Sequence, residues 1–190
     1  MINTVIDLIN MQFDGIVKDQ ITLGLVQRVY RSNSGDVIDF MPGIIKDDGE
    51  AIYAGIDDIK SLTIYHKTNA ASLAFSARGG FGDARQSEDT IICNLIAAWD
   101  TRKVKIQAVD MLLLLRSRIP QGIGGIPEIK DVVITPSGAL LNTKQVFDTE
   151  YSIGASGYLL PLYINFIQIN YTILLRYDQS CINKCIDCSN

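Results

Sequence analysis

Three thiols near the C-terminal end of the sequence have the spacing that most suggests chemistry. Cys181, Cys185 and Cys188 stand four and three positions apart, so on a helix all three would share one face. Thiolates gathered in that way suit a soft metal such as zinc. A closed structural zinc site needs a fourth ligand, and the chain offers only His66, its single histidine, or Cys93, its one other cysteine. The competing reading is reduced cysteines on a terminal segment or at a subunit contact. The first reading makes the protein a metal-binding module or a small metal-dependent enzyme; the second makes it neither.

The same cysteine spacing resembles the iron–sulfur ligand set of the radical S-adenosylmethionine enzymes. Those enzymes build a barrel after the motif, whereas only Ser189 and Asn190 follow Cys188 here, and that reading is set aside. Two glycine-rich stretches, Arg78–Gly82 and Gly122–Gly125, invite comparison with phosphate loops. Neither ends in Gly-Lys-Ser/Thr, and neither follows a strand and opens a helix, so flexible connection is the better expectation. His66 has no Ser or Cys elbow beside it and reads as an exposed residue at a strand end. The carboxylate pairs Asp47-Asp48, Asp57-Asp58 and Glu88-Asp89 fall in turns or loops, where acids serve turn geometry and solubility. No catalytic residue is assigned, no cofactor is expected, and the chain reads as a non-enzyme.

An interaction surface is the other outlet for these residues. Arg78, Phe81, Asp83, Arg85 and Glu88 lie in a polar, glycine-rich stretch at 78–89 whose charges alternate in sign. Alternating charge suits docking to a complementary neighbour, and the length suits a mobile loop. Tyr158, Tyr163, Tyr171 and Tyr177 cluster toward the end of the chain, either as interface residues or as ordinary strand residues.

Bulk composition narrows the classes. The chain has 190 residues, net charge −4, 47% hydrophobic and 20% charged residues, enough for one core and light on charge for a free monomer. With no basic excess, whole-protein binding to nucleic acid or an anionic membrane is disfavoured, although a small basic patch on one face stays compatible. The opening MINTVIDLIN carries Asp7 and no basic region, so it reads as a structural helix rather than a secretion signal, and the cysteines are expected reduced. The apolar run from 159 to 175 contains Asn165, Gln168 and Asn170, which argues against a membrane span.

The elements that must position these residues follow from periodicity and punctuation. Helical spacing predicts a helix over 2–13 ending near Gly15. A strand is expected over 21–30, bulged at Gly24, and another over 37–45, weakened by Pro42-Gly43. Lys46–Glu50 is a turn. Segments 61–66 and 71–77 read as a hairpin pair, and 90–99 as either a buried strand or the start of a helix. Residues 103–119 give the clearest helix, with Val104, Ala108, Met111, Leu112 and Leu115 on one face and Pro120 as its stop. A glycine-rich linker over 120–127, a short strand over 131–135, a weak helix over 143–151 and a long strand over 162–177 complete the order. That order favours an α+β domain over 1–180, with an antiparallel or mixed β-sheet packed against an N-terminal helix and one long central helix. A cysteine-containing tail over 181–190 follows.

This layout — opening helix Ile2–Phe13, strands through 21–77, helix 103–119 and closing strand 169–177 — resembles the tail-terminator and head–tail joining proteins of tailed bacteriophages, the neck ring proteins of crAss-like phages among them. The resemblance covers most of the chain as a layout and includes no signature motif. It implies a structural virion protein assembled in the host cytoplasm, forming a homo-oligomeric ring of six or twelve copies. Such a ring contacts adjacent portal, connector or tail proteins and passes DNA as cargo, with no membrane partner. It implies no catalytic residue, and it places ring-to-ring contacts at 78–89 and 120–128. The terminal cysteines belong to no pattern of that family.

Overall fold

The computed structural model describes residues 2–32, 38–55, 59–68, 74–78, 86–127, 129–151 and 162–178. The three C-terminal cysteines, and Phe81, Asp83 and Arg85 of the proposed contact loop, lie outside the described residues.

The fold is α+β, built around two long strands. β7 (Gln86–Asp100) and β10 (Ile164–Asp178) pair antiparallel along their full 15 residues, from Ile164↔Asp100 to Asp178↔Gln86. β7 carries β5 (Leu62–Thr68) and β6 (Ala74–Arg78) on its other edge; β10 carries β9 (Asp131–Leu140), which in turn holds the short β8 (Gly122–Ile123). β1 (Gln20–Leu25) closes the far side by pairing parallel to β5, so the sheet is mixed. A second sheet, β2 (Gln27–Ser32), β3 (Ile38–Ile45) and β4 (Ala51–Tyr53), is antiparallel throughout.

Alternation along the strands decides what covers each face. Ile91, Cys93, Leu95, Ala97 and Trp99 of β7 share a buried face with Ile167, Ile169, Tyr171, Ile173 and Leu175 of β10. That face meets α1 (Ile2–Asn10) through Val5, Ile6 and Ile9, and α2 (Ala108–Arg118) through Met111 and Leu115. On the opposite face Tyr65, Ile96, Ala98, Ile164 and Phe166 pack with Val146 and Phe147 of α3 (Thr143–Glu150) and with Met41, Ile44 and Ile52 of the small sheet. Each large side chain sealed in this way contributes roughly 1.5–3 kcal/mol. Both faces of β7 are covered at its Trp99 end, which explains a run too uniformly apolar for periodicity to separate strand from helix.

Several sequence expectations are corrected. The predicted strand over 21–30 is two strands in different sheets; the register shift between Thr22 and Leu25 does sit at Gly24. Segments 62–68 and 74–78 do not form a hairpin with each other: both pair antiparallel with β7, against 93–99 and 86–90, as successive stretches along one edge. The loop expected over 78–89 is corrected at its ends, because Arg78 ends β6 opposite Gln86 and Glu88 lies inside β7, while 79–85 lie outside the described residues. The long central helix over 103–119 is an 11-residue helix, 108–118, on one face of the sheet. What shortens it is Asp100: its carbonyl accepts the amides of Lys103 (3.0 Å) and Val104 (2.8 Å), and its carboxylate accepts the Arg102 amide (2.8 Å), so a turn occupies the expected first helical turn. β8 interrupts the glycine-rich linker, and β9 runs five residues past the expected strand end, to Leu140.

Pro42 and Gly43 sit inside β3 without breaking it. The Pro42 carbonyl accepts from Ala54 at 2.9 Å, so the side of the residue that lacks an N–H faces away from β2, where no ladder bond is lost. At Gly43 a Cβ would stand 2.7 Å from the Ile52 carbonyl oxygen and 3.2 Å from Val29 Cγ2. Only glycine lets these backbones approach.

Candidate functional site

Four groupings of polar or exposed residues could carry a function. The first is buried between α1 and the large sheet. His66 is fully enclosed, contrary to its expected place as a surface residue. Its Nδ1 lies 2.7 Å from Tyr171 Oη and its Nε2 2.7 Å from Asn10 Oδ1, while Asn10 Nδ2 donates to the Leu23 carbonyl at 3.2 Å. Because the Asn10 amide nitrogen is committed to Leu23, its oxygen must accept, so Nε2 carries the imidazole proton and Nδ1 accepts from Tyr171. Cys93, opposite Tyr171 in the β7–β10 register, hydrogen-bonds the same phenol. Burial lowers the His66 pKa to about 3 and raises the Cys93 thiol to about 11; it also pushes Tyr171 far above the ordinary phenol range. All three groups are held neutral. A thiol, an imidazole and a phenol in a row look like catalytic parts, yet a protonated thiol sealed from solvent is a poor nucleophile.

The second grouping lies on the opposite face. Lys67 Nζ reaches the buried Glu150 of α3 at 2.9 Å, beside Tyr65 and Tyr151, whose phenols burial raises well above their usual range. The Tyr65 hydroxyl has no hydrogen-bond partner by distance and angle, and Tyr151 donates to the Ala54 carbonyl at 3.3 Å. This set ties α3 and the small sheet to β5. The sequence-predicted contact residue Glu88 belongs to a third set: it pairs with Arg176 at 3.1 Å, and Arg176 also reaches Asp131 at 3.3 Å. These three side chains face the same way across β7, β10 and β9, so Glu88 is used within the subunit.

The fourth grouping gathers at one end of the large sheet. The register Gln20↔Leu62 and Leu62↔Trp99 brings the chain entering β1, the chain entering β5 and the chain leaving β7 together. They form a cleft of about 420 Å³ lined by Lys18, Asp19, Ser61, Lys103, Lys105 and Ile106, among others. Next to Lys103 in the chain, the Arg102 guanidinium is bound to both Asp100 carboxylate oxygens at 2.7–3.2 Å and stacked 3.6 Å over the Tyr163 ring. This ion pair holds the Asp100 carboxyl below its usual pKa.

Exposed apolar side chains complete the surface. Val109 and Leu113, one helical turn apart on α2, are 53% and 56% exposed. At the sheet end described above, Ile59 is 80% and Leu162 101% exposed. Single exposed apolar residues are ordinary; Val109 and Leu113 stand out as neighbours on one face of a helix.

Among the described residues no group of three or more His, Cys, Asp and Glu side chains is placed to hold a metal ion, and no helix is long and apolar enough to cross a membrane. Sequence reasoning missed His66 as a core residue, although Leu62 and Ile64 at period-two spacing assign it to the buried face. It also missed the lysine cleft, which needs the strand pairing to be visible. No protein-family model matches the chain, and no curated protein matches it.

Proposed function

We propose that the chain is a structural subunit that assembles into a ring at the head–tail junction of a tailed bacteriophage, with DNA passing through the channel. The observation that carries the assembly part is exposed apolar side chains at two places in the chain's fold, Val109 and Leu113 on α2 and Ile59 and Leu162 in the segments leading into β5 and β10. Two different patches on one subunit are what a head-to-tail contact uses, and head-to-tail contacts close into rings when the rotation allows. Covering four such side chains contributes several kcal/mol per contact, at roughly 25 cal/mol per Å² of apolar surface. The closely packed interior on both faces of the large sheet supports the same reading, since rigid subunits tile more reproducibly than soft ones. The head–tail placement rests on the resemblance of the element order alone.

Electron microscopy of the purified protein tests this proposal. The expected result is closed rings with a central channel, formed by the chain alone or with adjacent portal or tail proteins. A uniform population of single subunits under both conditions contradicts it.

A further inference from the structure

We propose that the cleft at the sheet end binds a phosphate-bearing anion through Lys18, Lys103 and Lys105. The chain as a whole is acidic, at −4, yet this cleft is lined by three lysines against one aspartate, Asp19. Lys18 and Lys105 make no ion pair with any carboxylate among the described residues. Lysine binds phosphate as a compact point charge, and a volume of about 420 Å³ lies within the range of small-ligand sites.

The walls are fixed in advance of any ligand. Ser61 is the tie: its amide donates to the Asp19 carbonyl at 3.0 Å, its hydroxyl to the Lys18 carbonyl, and its own carbonyl accepts the Asp100 amide at 3.0 Å. Asp100 in turn holds the Lys103 and Val104 amides. Trp99 Nε1 donates to the Ile106 carbonyl at 3.2 Å and fixes the far side. Both walls are therefore fastened to the end of β7, and Lys103 Nζ also donates to the Lys60 carbonyl at 3.4 Å. An anion that binds only the folded cleft links binding to folding.

The inference does not rest on the ring reading, because the cleft lies within one subunit. Nuclear magnetic resonance titration of the full chain with inorganic pyrophosphate tests it. Amides at 17–19 and 103–106 are expected to shift saturably, with affinity falling as salt rises and the melting temperature rising with ligand. Lys18→Gln and Lys105→Gln should each weaken binding several-fold, and a variant with all three lysines changed to glutamine at least tenfold. Lys144→Gln, a lysine paired on α3 with Asp148, should bind as the wild type does. A parallel titration with a short duplex DNA separates the source of the phosphate: saturation by both probes points to a small ligand, and by DNA alone to a polymer. No saturable shift with either probe overturns the proposal, as does equal weakening by Lys144→Gln.

Discussion

His66 Nδ1 accepts a 2.7 Å hydrogen bond from Tyr171 across the intervening strand β7, passing between the positions of Leu95 and Cys93. The two residues are 105 positions apart in sequence, and their bond fixes β5 and β10 to the same depth over the core. Removing the imidazole leaves the Tyr171 O–H without its acceptor and the Asn10 side-chain oxygen without its donor. His66→Ala is therefore expected to cost about 3–5 kcal/mol, cavity and orphaned groups together, measured as the shift of the urea unfolding curve.

The same histidine sets a pH dependence. Its folded pKa, about 3, lies below the ordinary 6.5, so the unfolded chain binds a proton that the folded chain refuses. Stability is complete above pH 6.5 and falls as pH drops from there toward about 3. Most carboxylates titrate below pH 5, so the window from 5 to 6.5 isolates the imidazole. In His66→Gln the unfolding free energy should be flat across that window, while in the wild type it should slope upward with pH.

Cys93 tests the chemical quietness of the network. With its thiol raised to about 11 and no exposed surface, it should resist iodoacetamide at pH 8 in the native protein. Peptide mapping should find it alkylated only after unfolding in urea. Rapid native labelling at Cys93 would show that the interior opens more readily than this packing allows.

How far the sequence foretold these features depends on the range over which each is determined. Local signals were reliable: the apolar spacing of Val5, Ile6 and Ile9 and the turn at Gly49 appear where the residues put them. Longer-range pairing was not legible. Nothing within 61–77 reveals that both stretches lie along β7 rather than against each other, because a strand's alternation does not name its partner. The end of β7 at Asp100 was hidden for a similar reason, since its amide is bound by the Ser61 carbonyl, 39 positions earlier in the chain. The lysine cleft joins residues 85 positions apart, Lys18 and Lys103, through two strand registers. The cysteine motif at 181–188 lies outside the described residues.

The Lys67–Glu150 pair should be costly to break and cheap to replace. Lys67→Met leaves a carboxylate buried without its counter-charge, an expected loss of about 2–4 kcal/mol. Adding Glu150→Leu should recover most of that loss in urea denaturation, because the apolar pair has no charge to desolvate.

Gly43 gives a test of the small sheet. Gly43→Ala drives a methyl into the Ile52 carbonyl and is expected to cost about 2–3 kcal/mol. Gly124→Ala, where nothing lies within 4 Å of the added carbon, should leave the melting temperature unchanged.

The central claim is that α2 turns Val109 and Leu113 outward for another subunit to cover. Native mass spectrometry of the wild type and of a Val109→Glu, Leu113→Glu variant measures this most directly. Both changes fall on side chains more than half exposed, so the variant should keep the wild-type circular dichroism spectrum. A closed multiple of the 21.0 kDa subunit in the wild type, reduced to single subunits in the variant, is the predicted result. An unchanged oligomer in the variant, or single subunits in both even with portal or tail proteins present, would contradict it.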